Sequence, residues 1–414
     1  MRLSARGAAA PTLTVFLPFG CGYYLSYLFR SVNAVISENL TVELDIGPAD
    51  LGLLTSIYLI AFASSQIPLG IALDRYGPRR VNAFLLLFAA AGSALFAWAE
   101  SFELLLAGRA LIGFGVSAAL MGAFKANAIW FPADRIPLLN NLTGAFGAVG
   151  AISATRPVEA LLHIADWRDV FAGMAVLTVV VSLAILLFVP EKRGAGQTVE
   201  SIGSQLSGFR EVVREAFFWR IALIYSFTYT AFVAYQTLWA DPWLRDIAGL
   251  DQTARANYLL LIQIGFLAGL LSTGLLADVL RRSRVQAVHV FGGGVAVFIG
   301  LQVLLAFGVT AALGAIWLLF GLMSASVYLA YAVLTSHFPS EVTGRALTAM
   351  NFIVFVAAFA CQWGIGGIIE AFPRTETGGY PAAAHTTALV TMIGLQAACY
   401  LYFIWPKSGR NTNV

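Results

Sequence analysis

Four basic side chains interrupt long apolar runs of this sequence. The runs contain Arg30, Arg109, Lys125 and Arg156. A charged group in apolar surroundings is costly unless it has a partner, so each of these residues is a candidate for function. A guanidinium binds a carboxylate or a phosphate through two parallel hydrogen bonds, and a low dielectric strengthens that pairing. The residue types therefore favour a site for an anion.

The depth of each cation within its run separates the four candidates. Arg30 lies well inside its run, where the side chain has little room to reach water, so we interpret it as a binding residue. For Arg109, substrate binding and helix packing both remain possible roles. For Lys125, substrate binding and a side chain extended toward water both remain possible. Arg156 is near enough to the end of its run that we expect it to reach solvent.

Polar residues accompany Arg30 at helical spacing. They are Tyr23, Ser26, Tyr27, Arg30, Asn33 and Ser37. Residues at this spacing share one face of a helix, and a polar face within an apolar run predicts the lining of a cavity. From this face we select Tyr27 and Asn33 as substrate-binding candidates beside Arg30, Arg109 and Lys125.

The second half of the sequence offers aromatic and amide side chains but no deeply placed cation. They are Tyr225, Tyr229, Tyr235, Gln236, Trp239, Gln263, Tyr328, Tyr331, Asn351 and Gln362. Such a wall suits the neutral or apolar body of a ligand, although aromatic residues are also common in packing and at lipid surfaces. The binding candidates that we select from it are Tyr235, Gln236, Gln263, Tyr328 and Asn351.

The elements that carry these residues are predicted to be membrane helices. Of the 414 residues, 59% are hydrophobic and only 11% are charged, against about 25% charged in an ordinary soluble domain. A helix needs roughly 20 apolar residues to cross a bilayer. The twelve predicted spans are 12–37, 49–71, 81–98, 103–129, 138–162, 170–189, 217–240, 255–277, 286–307, 311–336, 346–369 and 386–405. The predicted fold class is an all-α membrane protein.

The remaining chemistry-bearing residues do not form a catalytic or metal pattern. Cys21, Cys361 and Cys399 lie within separate predicted spans, and the four histidines lack the spacing of metal ligands on one helix face. We find no paired carboxylates and no nucleophile with its base at membrane depth. The sequence therefore predicts neither an enzyme nor a bound cofactor or metal.

The distribution of basic residues predicts the orientation. Lys and Arg near membrane ends favour the cytoplasmic side. If both termini are cytoplasmic, the outer connections hold only Arg168, Arg245, Arg255 and Arg374, whereas the cytoplasmic ones hold most of the others. We expect a multi-pass protein of the inner, cytoplasmic membrane. The charge of +3 is spread over many connections and does not indicate a nucleic-acid partner.

Two landmarks recur at nearly equal offsets. The segment 70–80 reads GIALDRYGPRR and 274–282 reads GLLADVLRR; 131–134 reads FPAD and 338–341 reads FPSE. Repetition at about half the chain length predicts two related units. The expected domains are a six-helix bundle over 1–190, a cytoplasmic linker over 191–215 and a second six-helix bundle over 216–414, arranged with pseudo-symmetry.

On these motifs the chain resembles the major facilitator superfamily over essentially its whole length. The loop at 70–80 and its weaker copy at 274–282 carry most of the resemblance, and Arg109 to Gly115 in span 4 adds to it. The resemblance implies alternating access between two rocking bundles, with a cytoplasmic latch that stabilises the outward-facing state. The latch residues that it implies are Gly70, Asp74, Arg75, Gly77, Arg79, Arg80, Asp278 and Arg281.

Within that family the chain looks like the branches that move organic anions, the anion:cation symporters and organophosphate antiporters, because Arg30 matches their span 1 arginine. It departs from many such symporters at Phe29 and Val116, where they carry acids. It also lacks the Gly-Pro pair of drug antiporters in span 5. Glu38, Glu159 and Asp241 lie at predicted outer ends, which makes proton coupling through a buried acid doubtful and leaves exchange, facilitated movement or coupling through an end-of-helix acid open.

The expected function is secondary active or facilitative transport of a small organic anion, by a protein that works as a monomer in the lipid bilayer. One alternative substrate is a zwitterionic, amphipathic drug-like or siderophore-like metabolite. An alternative from another class is a membrane sensor or receptor that keeps the fold and does not transport. A large appended domain would favour the sensor, and the predicted termini are short.

Overall fold

The computed structural model describes residues 12–132, 135–191, 212–282, 286–338, 340–376 and 378–405. Side chains at 12, 13, 67, 71, 74, 137, 141, 273–282, 340–342 and 344 lie outside this description. All regular secondary structure in the described ranges is helical. Twelve membrane-length helical units follow one another, numbered α1 to α12. We call α1–α6 the first half and α7–α12 the second half.

The first half contains six units, and three of them are interrupted. They are α1 (Thr12–Phe16, Leu17–Ser31 and Asn33–Leu44), α2 (Pro48–Gln66), α3 (Arg75–Ala97), α4 (Phe102–Gly115 and Ala119–Trp130), α5 (Ile136–Ser153 and Arg156–Leu162) and α6 (Trp167–Phe188). The units α2 and α3 are parts of one helical run, Pro48–Ala97.

The second half also contains six units. They are α7 (Ala216–Ala234, Tyr235–Trp239 and Ala240–Asp246), α8 (Gln252–Arg282), α9 (Ala287–Ala306), α10 (Leu313–Ser324, Ala325–Tyr328 and Leu329–His337), α11 (Ser340–Glu370) and α12 (Ala382–Ile404).

The predicted spans and the helices agree to within a few residues at most ends. Among the described residues, ten of the units are long and apolar enough to cross a bilayer, and α1 and α5 are the two remaining membrane-length units. The clearest difference is at α1, which was expected to end near residue 37 and continues to Leu44. The added turns contain several polar residues, so the hydropathy pattern did not predict that the helix continues through them. They remain helical where they pack against the second half.

Local sequence explains two of the irregularities. Gly77 has φ 79° and ψ 159°, a conformation that favours glycine, and Pro78 follows it at the start of the next helix. The chain therefore reverses between α2 and α3 at the predicted motif. In α7, Pro242 lacks the amide hydrogen that would bond to the carbonyl of Leu238, and a π turn at Tyr235–Trp239 precedes it.

The halves contact each other at the face that carries the α1–α2 connection, which is the predicted outer face. There the backbone nitrogen of Ala49 in α2 donates to Glu370 of α11 over 2.9 Å, and Thr253 of α8 donates to Glu159 of α5 over 2.7 Å. Helices α2 and α11 also cross closely: a Cβ atom on Gly366 would come within 2.3 Å of the Pro48 carbonyl oxygen. The described part of the chain is thus closed between its halves at this face.

Candidate functional site

Arg30 lies on α1 at the boundary between the two halves and is only 6% exposed. Its Nη1 atom donates to the hydroxyl of Tyr229 on α7 over 3.4 Å, which is a long and therefore weak hydrogen bond. The Nε atom of Arg30 is buried and has no hydrogen-bond partner among the described residues. The guanidinium thus retains donor capacity that the protein itself does not satisfy.

Aromatic rings surround the Arg30 guanidinium. Its Cζ atom lies 4.9 Å from the ring centroid of Tyr27, 5.8 Å from that of Tyr58, 5.6 Å from that of Phe62 and 5.9 Å from that of Phe355. Each ring presents its negative face to a cation at these distances. The rings come from α1, α2 and α11, so both halves contribute. They offset part of the cost of burying the charge without neutralising it.

No carboxylate of the described residues lies within salt-bridge distance of Arg30. The ion pairs among the described residues involve other cations, most of which lie near the membrane ends of the helices. A buried cation without a counter-ion is unfavourable, whereas a bound anion would supply both the charge and the hydrogen-bond acceptors. The geometry at Arg30 is therefore suited to an anionic ligand.

Arg109 on α4 is fully buried beside the same group of rings. Its Nη1 atom donates to the carbonyl oxygen of Phe29 over 2.7 Å, and its Cζ atom lies 5.0 Å from the Tyr58 centroid. The Nε and Nη2 atoms have no partner among the described residues. Arg109 fastens α4 to the backbone immediately before Arg30, and it adds a second positive charge beside the Tyr58 ring.

The facing wall of the second half is a chain of tyrosine hydroxyls that ends on an amide. Tyr225 stacks on Tyr229 with centroids 5.7 Å apart and hydrogen bonds to Tyr331 over 3.0 Å. Tyr331 in turn donates to Oδ1 of Asn351 over 2.5 Å. The ring of Tyr328 lies 6.2 Å from that of Tyr229. These groups are polar but uncharged, as the sequence predicted for this wall.

The structure brings only some of the predicted site residues together. Tyr27 contacts Arg30 directly, and Tyr328 and Asn351 belong to the same wall as Tyr229. Asn33 instead donates to Thr55 over 3.1 Å, and its buried Oδ1 atom has no partner among the described residues. Lys125 is half-buried on α4.

Three other predicted binding residues are used within the second half. Gln236 and Gln263 form a buried side-chain hydrogen bond of 2.7 Å that joins α7 to α8. Tyr235 packs against Trp317 and Phe320 of α10, with centroids 6.3 and 6.2 Å away. These contacts are those of packing residues.

Sequence reasoning missed Tyr58, Phe62 and Phe355, and it named Tyr229 only as one of many polar residues. Tyr58 and Phe62 are four residues apart and therefore share a face of α2. That spacing was available as a signal. It does not distinguish a lipid-facing pair from one that faces Arg30, which depends on how the helices pack.

The structure describes the side chains of only some of the predicted latch residues. Arg79 donates from Nε to the carbonyl oxygen of Leu186 over 3.2 Å, and Arg80 pairs with Glu191 over 2.5 Å, so both contact the end of α6 in their own half. Gly70 is exposed, and Arg75 lies over the ring of Tyr76 at 5.3 Å. The side chains of Asp74, Asp278 and Arg281 lie outside the described residues.

The acids at the predicted outer ends are less exposed than their positions suggested. Asp241 is 3% exposed and Glu159 is 1% exposed. They were expected to lie at the outer ends of their helices, and contacts with the other half help to bury them there. Arg156 was expected to reach solvent, and its side chain is 41% exposed while it also pairs with Glu159.

Comparison with known proteins places the chain in a family. The family model of the Major Facilitator Superfamily matches residues 19–361. Two similar curated proteins are a probable sulfoacetate transporter, SauU, of Cupriavidus necator and a nitrite extrusion protein of Bacillus subtilis. The first is 24% identical over 291 residues, which cover 67% of both chains. The second is 26% identical over 223 residues, which cover 53% of both chains.

Solved structures share the fold. One of them is a bacterial homologue of the human lysosomal transporter Spinster, in an inward-facing and occupied conformation. It superposes with a TM-score of 0.77 at 16% identity, covering 95% of this chain and 96% of that one. At this identity the likeness establishes the arrangement of helices.

Proposed function

The chain belongs to the Major Facilitator Superfamily of membrane transporters, and from that premise we propose that it transports a small organic anion by alternating access. The anion binds at Arg30, between the halves. The observation that carries the proposal is the Arg30 guanidinium, which is buried among aromatic rings, has no carboxylate partner in the described residues and has an unsatisfied Nε atom.

The chemistry of the relatives supports an anionic substrate. The two similar proteins are described as transporters of sulfoacetate and nitrite, which are both anions. Planar oxyanions accept the paired hydrogen bonds that a guanidinium donates. The described residues of the second half contribute hydroxyl and amide groups to the site, but no further cation deep in the membrane. This favours a substrate whose charge is concentrated at one end and whose body is neutral.

We assign different roles to the two buried arginines. Arg30 holds the anion directly, and Arg109 positions the α1 backbone through the Phe29 carbonyl while contributing positive potential. Tyr229 donates its hydroxyl to the bound anion from the opposite half. An anion so placed contacts both halves at once, and its binding therefore depends on how far apart they are.

Alternating access follows from the placement of this site between the halves. Closure at the predicted outer face, through pairs such as Ala49 with Glu370, blocks the path to one side of the membrane. Separation of those contacts, with closure at the opposite face, would expose the site to the other side. In this proposal the two units are 1–190 and 216–414, joined by the cytoplasmic linker 191–215, and both termini are cytoplasmic.

The predicted latch belongs to the same proposal. The residues Gly70, Asp74, Arg75, Gly77, Arg79, Arg80, Asp278 and Arg281 stabilise the state that is open to the outside. In this proposal they act at the face opposite the contacts described above. The working unit is a single chain in the inner membrane.

A ligand screen by thermal shift tests the proposal. Purified protein is heated with a panel of small carboxylates, sulfonates, phosphates and nitrate, and the same panel is applied to Arg30→Gln and Arg30→Lys. We expect at least one anion to raise the unfolding temperature of the wild type. A hydrogen bond to a charged group contributes about 1.5–3 kcal/mol, so Arg30→Gln should weaken binding by about 10- to 150-fold.

Arg374→Gln is the matched control, because it removes one positive charge at an exposed position on the predicted outer face. The control should leave binding unchanged. The proposal fails if no anion of the panel stabilises the wild type, or if a stabilising anion binds Arg30→Gln as tightly as it binds the wild type.

A further inference from the structure

Two buried guanidiniums lie beside one aromatic ring. The Cζ atom of Arg30 on α1 is 5.8 Å from the ring centroid of Tyr58, and the Cζ atom of Arg109 on α4 is 5.0 Å from the same centroid. Tyr58 is 1% exposed, and its hydroxyl donates to the Ser26 carbonyl oxygen over 3.0 Å, which fixes the ring. The two Cζ atoms are therefore no further apart than these two distances combined, and one small ligand can lie within the field of both.

The hydrogen bonds that the two arginines make with the described residues are to neutral groups. Arg30 donates to the Tyr229 hydroxyl, and Arg109 donates to the Phe29 carbonyl oxygen. Neither arginine belongs to an ion pair in this part of the chain. The surrounding rings attract a cation through their quadrupoles but carry no net charge. The site therefore holds two positive charges that the described residues do not balance.

A packing role explains only part of Arg109. Its bond to Phe29 uses one of the five N–H donors of the guanidinium. The Nε and Nη2 atoms are buried without a partner among the described residues, and such atoms cost free energy. A neutral amide side chain could make the same single bond at a lower cost of burial. The feature of Arg109 that remains to be explained is its positive charge.

A single negative charge leaves this site unbalanced. An anion bound at Arg30 neutralises that guanidinium, but the Arg109 guanidinium still lies nearby without a counter-charge. A buried cation without a partner is costly, so a second negative charge on the same ligand is stabilised. At the effective dielectric constant of protein interiors, a unit charge about 6–10 Å from a cation strengthens binding about 10- to 100-fold.

The loss of hydration opposes this gain. A dianion gives up more hydration than a monoanion of the same shape when it enters a buried site. At a site with one cation this extra cost disfavours the dianion. The second cation offsets the cost, so the order of the two affinities depends on Arg109 and not on Arg30 alone.

The placement of the two arginines requires that both charges of such a ligand lie close together. Arg30 and Arg109 belong to the first half, and Arg109 bonds to the backbone of the residue before Arg30. The described wall of the second half offers hydroxyl and amide groups, such as those of Tyr331 and Asn351. A ligand with a negative charge at each end would leave one of them against this neutral wall. The site therefore favours a compact dianion.

We propose that the transported anion is a compact dianion, whose two negative charges are a few atoms apart, and that Arg109 is the residue that selects the second charge. This inference rests on the proposed function, because it concerns the anion that Arg30 holds. Arg30 binds an anionic group of the ligand through hydrogen bonds. Arg109 acts on the whole ligand through its charge, while its bond to Phe29 keeps α4 against α1.

Two pairs of probes that differ by one charge test the proposal. Methyl phosphate and methyl sulfate share a tetrahedral shape, but the phosphate carries two negative charges above about pH 6 and the sulfate carries one. Malonate carries two negative charges at pH 8, and its monoamide carries one. Each probe is titrated calorimetrically into the purified wild type at pH 8, and the methyl phosphate and methyl sulfate titrations are repeated at pH 5.

We expect the dianion of each pair to bind the wild type at least tenfold more tightly than the monoanion at pH 8. Methyl phosphate should lose about fivefold in affinity at pH 5, where most of it carries a single charge. Methyl sulfate keeps its single charge and should bind equally well at both pH values. Its titration is therefore the control for any change in the ionisation of the protein itself.

Three variants separate the charge of Arg109 from its packing. Arg109→Gln removes the charge and should abolish the preference for the dianion. Arg109→Lys keeps the charge and should retain the preference, even where the lost bond to Phe29 weakens the binding of both members of a pair. Arg374→Gln removes an exposed charge and should bind all probes as the wild type does. If Arg109→Gln does not fold, Arg109→Lys and the pH dependence of the wild type decide.

The proposal is overturned if neither dianion binds the wild type, or if a monoanion binds as tightly as the dianion of its pair. It is also overturned if Arg109→Gln keeps the full preference or if Arg109→Lys loses it. Binding of monoanions alone, with a loss of affinity in Arg30→Gln, would reject the dianion and leave the anion site at Arg30 intact. Binding of no anion at all would reject both.

Discussion

The Nη1 atom of Arg30 on α1 lies 3.4 Å from the hydroxyl of Tyr229 on α7, across the boundary between the two halves. The bond is too long to satisfy a buried guanidinium, and no carboxylate of the described residues replaces it. Because its members belong to different halves, the pair changes whenever the halves move. An anion bound between them would exchange this weak contact for stronger ones to both sides.

Tyr229→Phe tests the contribution of the opposite half to anion binding. The substitution keeps the ring that stacks on Tyr225 and removes only the hydroxyl. We expect the dissociation constant of the bound anion to rise about 2- to 10-fold, because a neutral hydrogen bond contributes about 0.5–1.5 kcal/mol. Calorimetric titration measures the change. Tyr235→Phe is the matched control, since Tyr235 packs against Trp317, and it should leave affinity unaltered.

The two buried arginines should contribute differently to stability. Arg30→Gln removes a buried charge that lacks a counter-ion, so we expect the ligand-free variant to unfold at the same or a higher temperature than the wild type. Arg109→Gln removes the bond to the Phe29 carbonyl and should lower the unfolding temperature. Thermal unfolding in detergent measures both. A large loss of stability in Arg30→Gln would mean that the protein already neutralises this residue.

The helices and the main anion candidate could be predicted from the sequence because both depend on local patterns. Hydropathy and length locate the spans, and the depth of Arg30 within one of them marks it as costly. The rings of Tyr58, Phe62 and Phe355 could not be assigned to Arg30, because their orientation is set by packing between helices far apart in sequence.

The burial of Asp241 was also beyond the reach of the sequence. Its place near the end of a hydrophobic run indicates contact with water. The approach of α1 from the other half, which brings Ser37 to 3.3 Å, removes that contact. For the same reason Gln236 and Gln263, which face each other, could not be recognised as a pair.

Gly366→Ala should hinder closure of the predicted outer face. An added Cβ would come within 2.3 Å of the Pro48 carbonyl oxygen and 2.9 Å of Cα of Ala49, both backbone atoms of the other half. Nitroxides at Ile164 and Phe307, which are 84% and 81% exposed on the predicted outer face, should report a larger open population by pulsed electron paramagnetic resonance. Gly367→Ala is the control, because nothing lies within 4 Å of its added atom. Equal populations in the two variants would show that this crossing does not limit closure.

The buried amide pair of Gln302 on α9 and Gln396 on α12 should contribute to stability only as a pair. Each side-chain nitrogen donates to the other oxygen, over 2.9 and 2.8 Å. Gln302→Leu removes the donor to the Gln396 side-chain oxygen, whereas the Gln396 nitrogen keeps its bond to the Met392 carbonyl oxygen over 3.2 Å. A buried unsatisfied oxygen costs about 1–3 kcal/mol, so the unfolding temperature of this variant should fall. The double variant Gln302→Leu/Gln396→Leu should recover most of that loss. No recovery would indicate that packing, rather than hydrogen bonding, dominates here.

The most direct test of the anion site is counterflow in proteoliposomes. Vesicles are loaded with the anion that stabilises the protein most, and entry of the same labelled anion is followed for the wild type, Arg30→Lys and Arg30→Gln. We predict rapid entry with the wild type, a raised KM with Arg30→Lys and background entry with Arg30→Gln. Entry through Arg30→Gln at the wild-type rate and KM would contradict the assignment of Arg30 as the anchor of the transported anion.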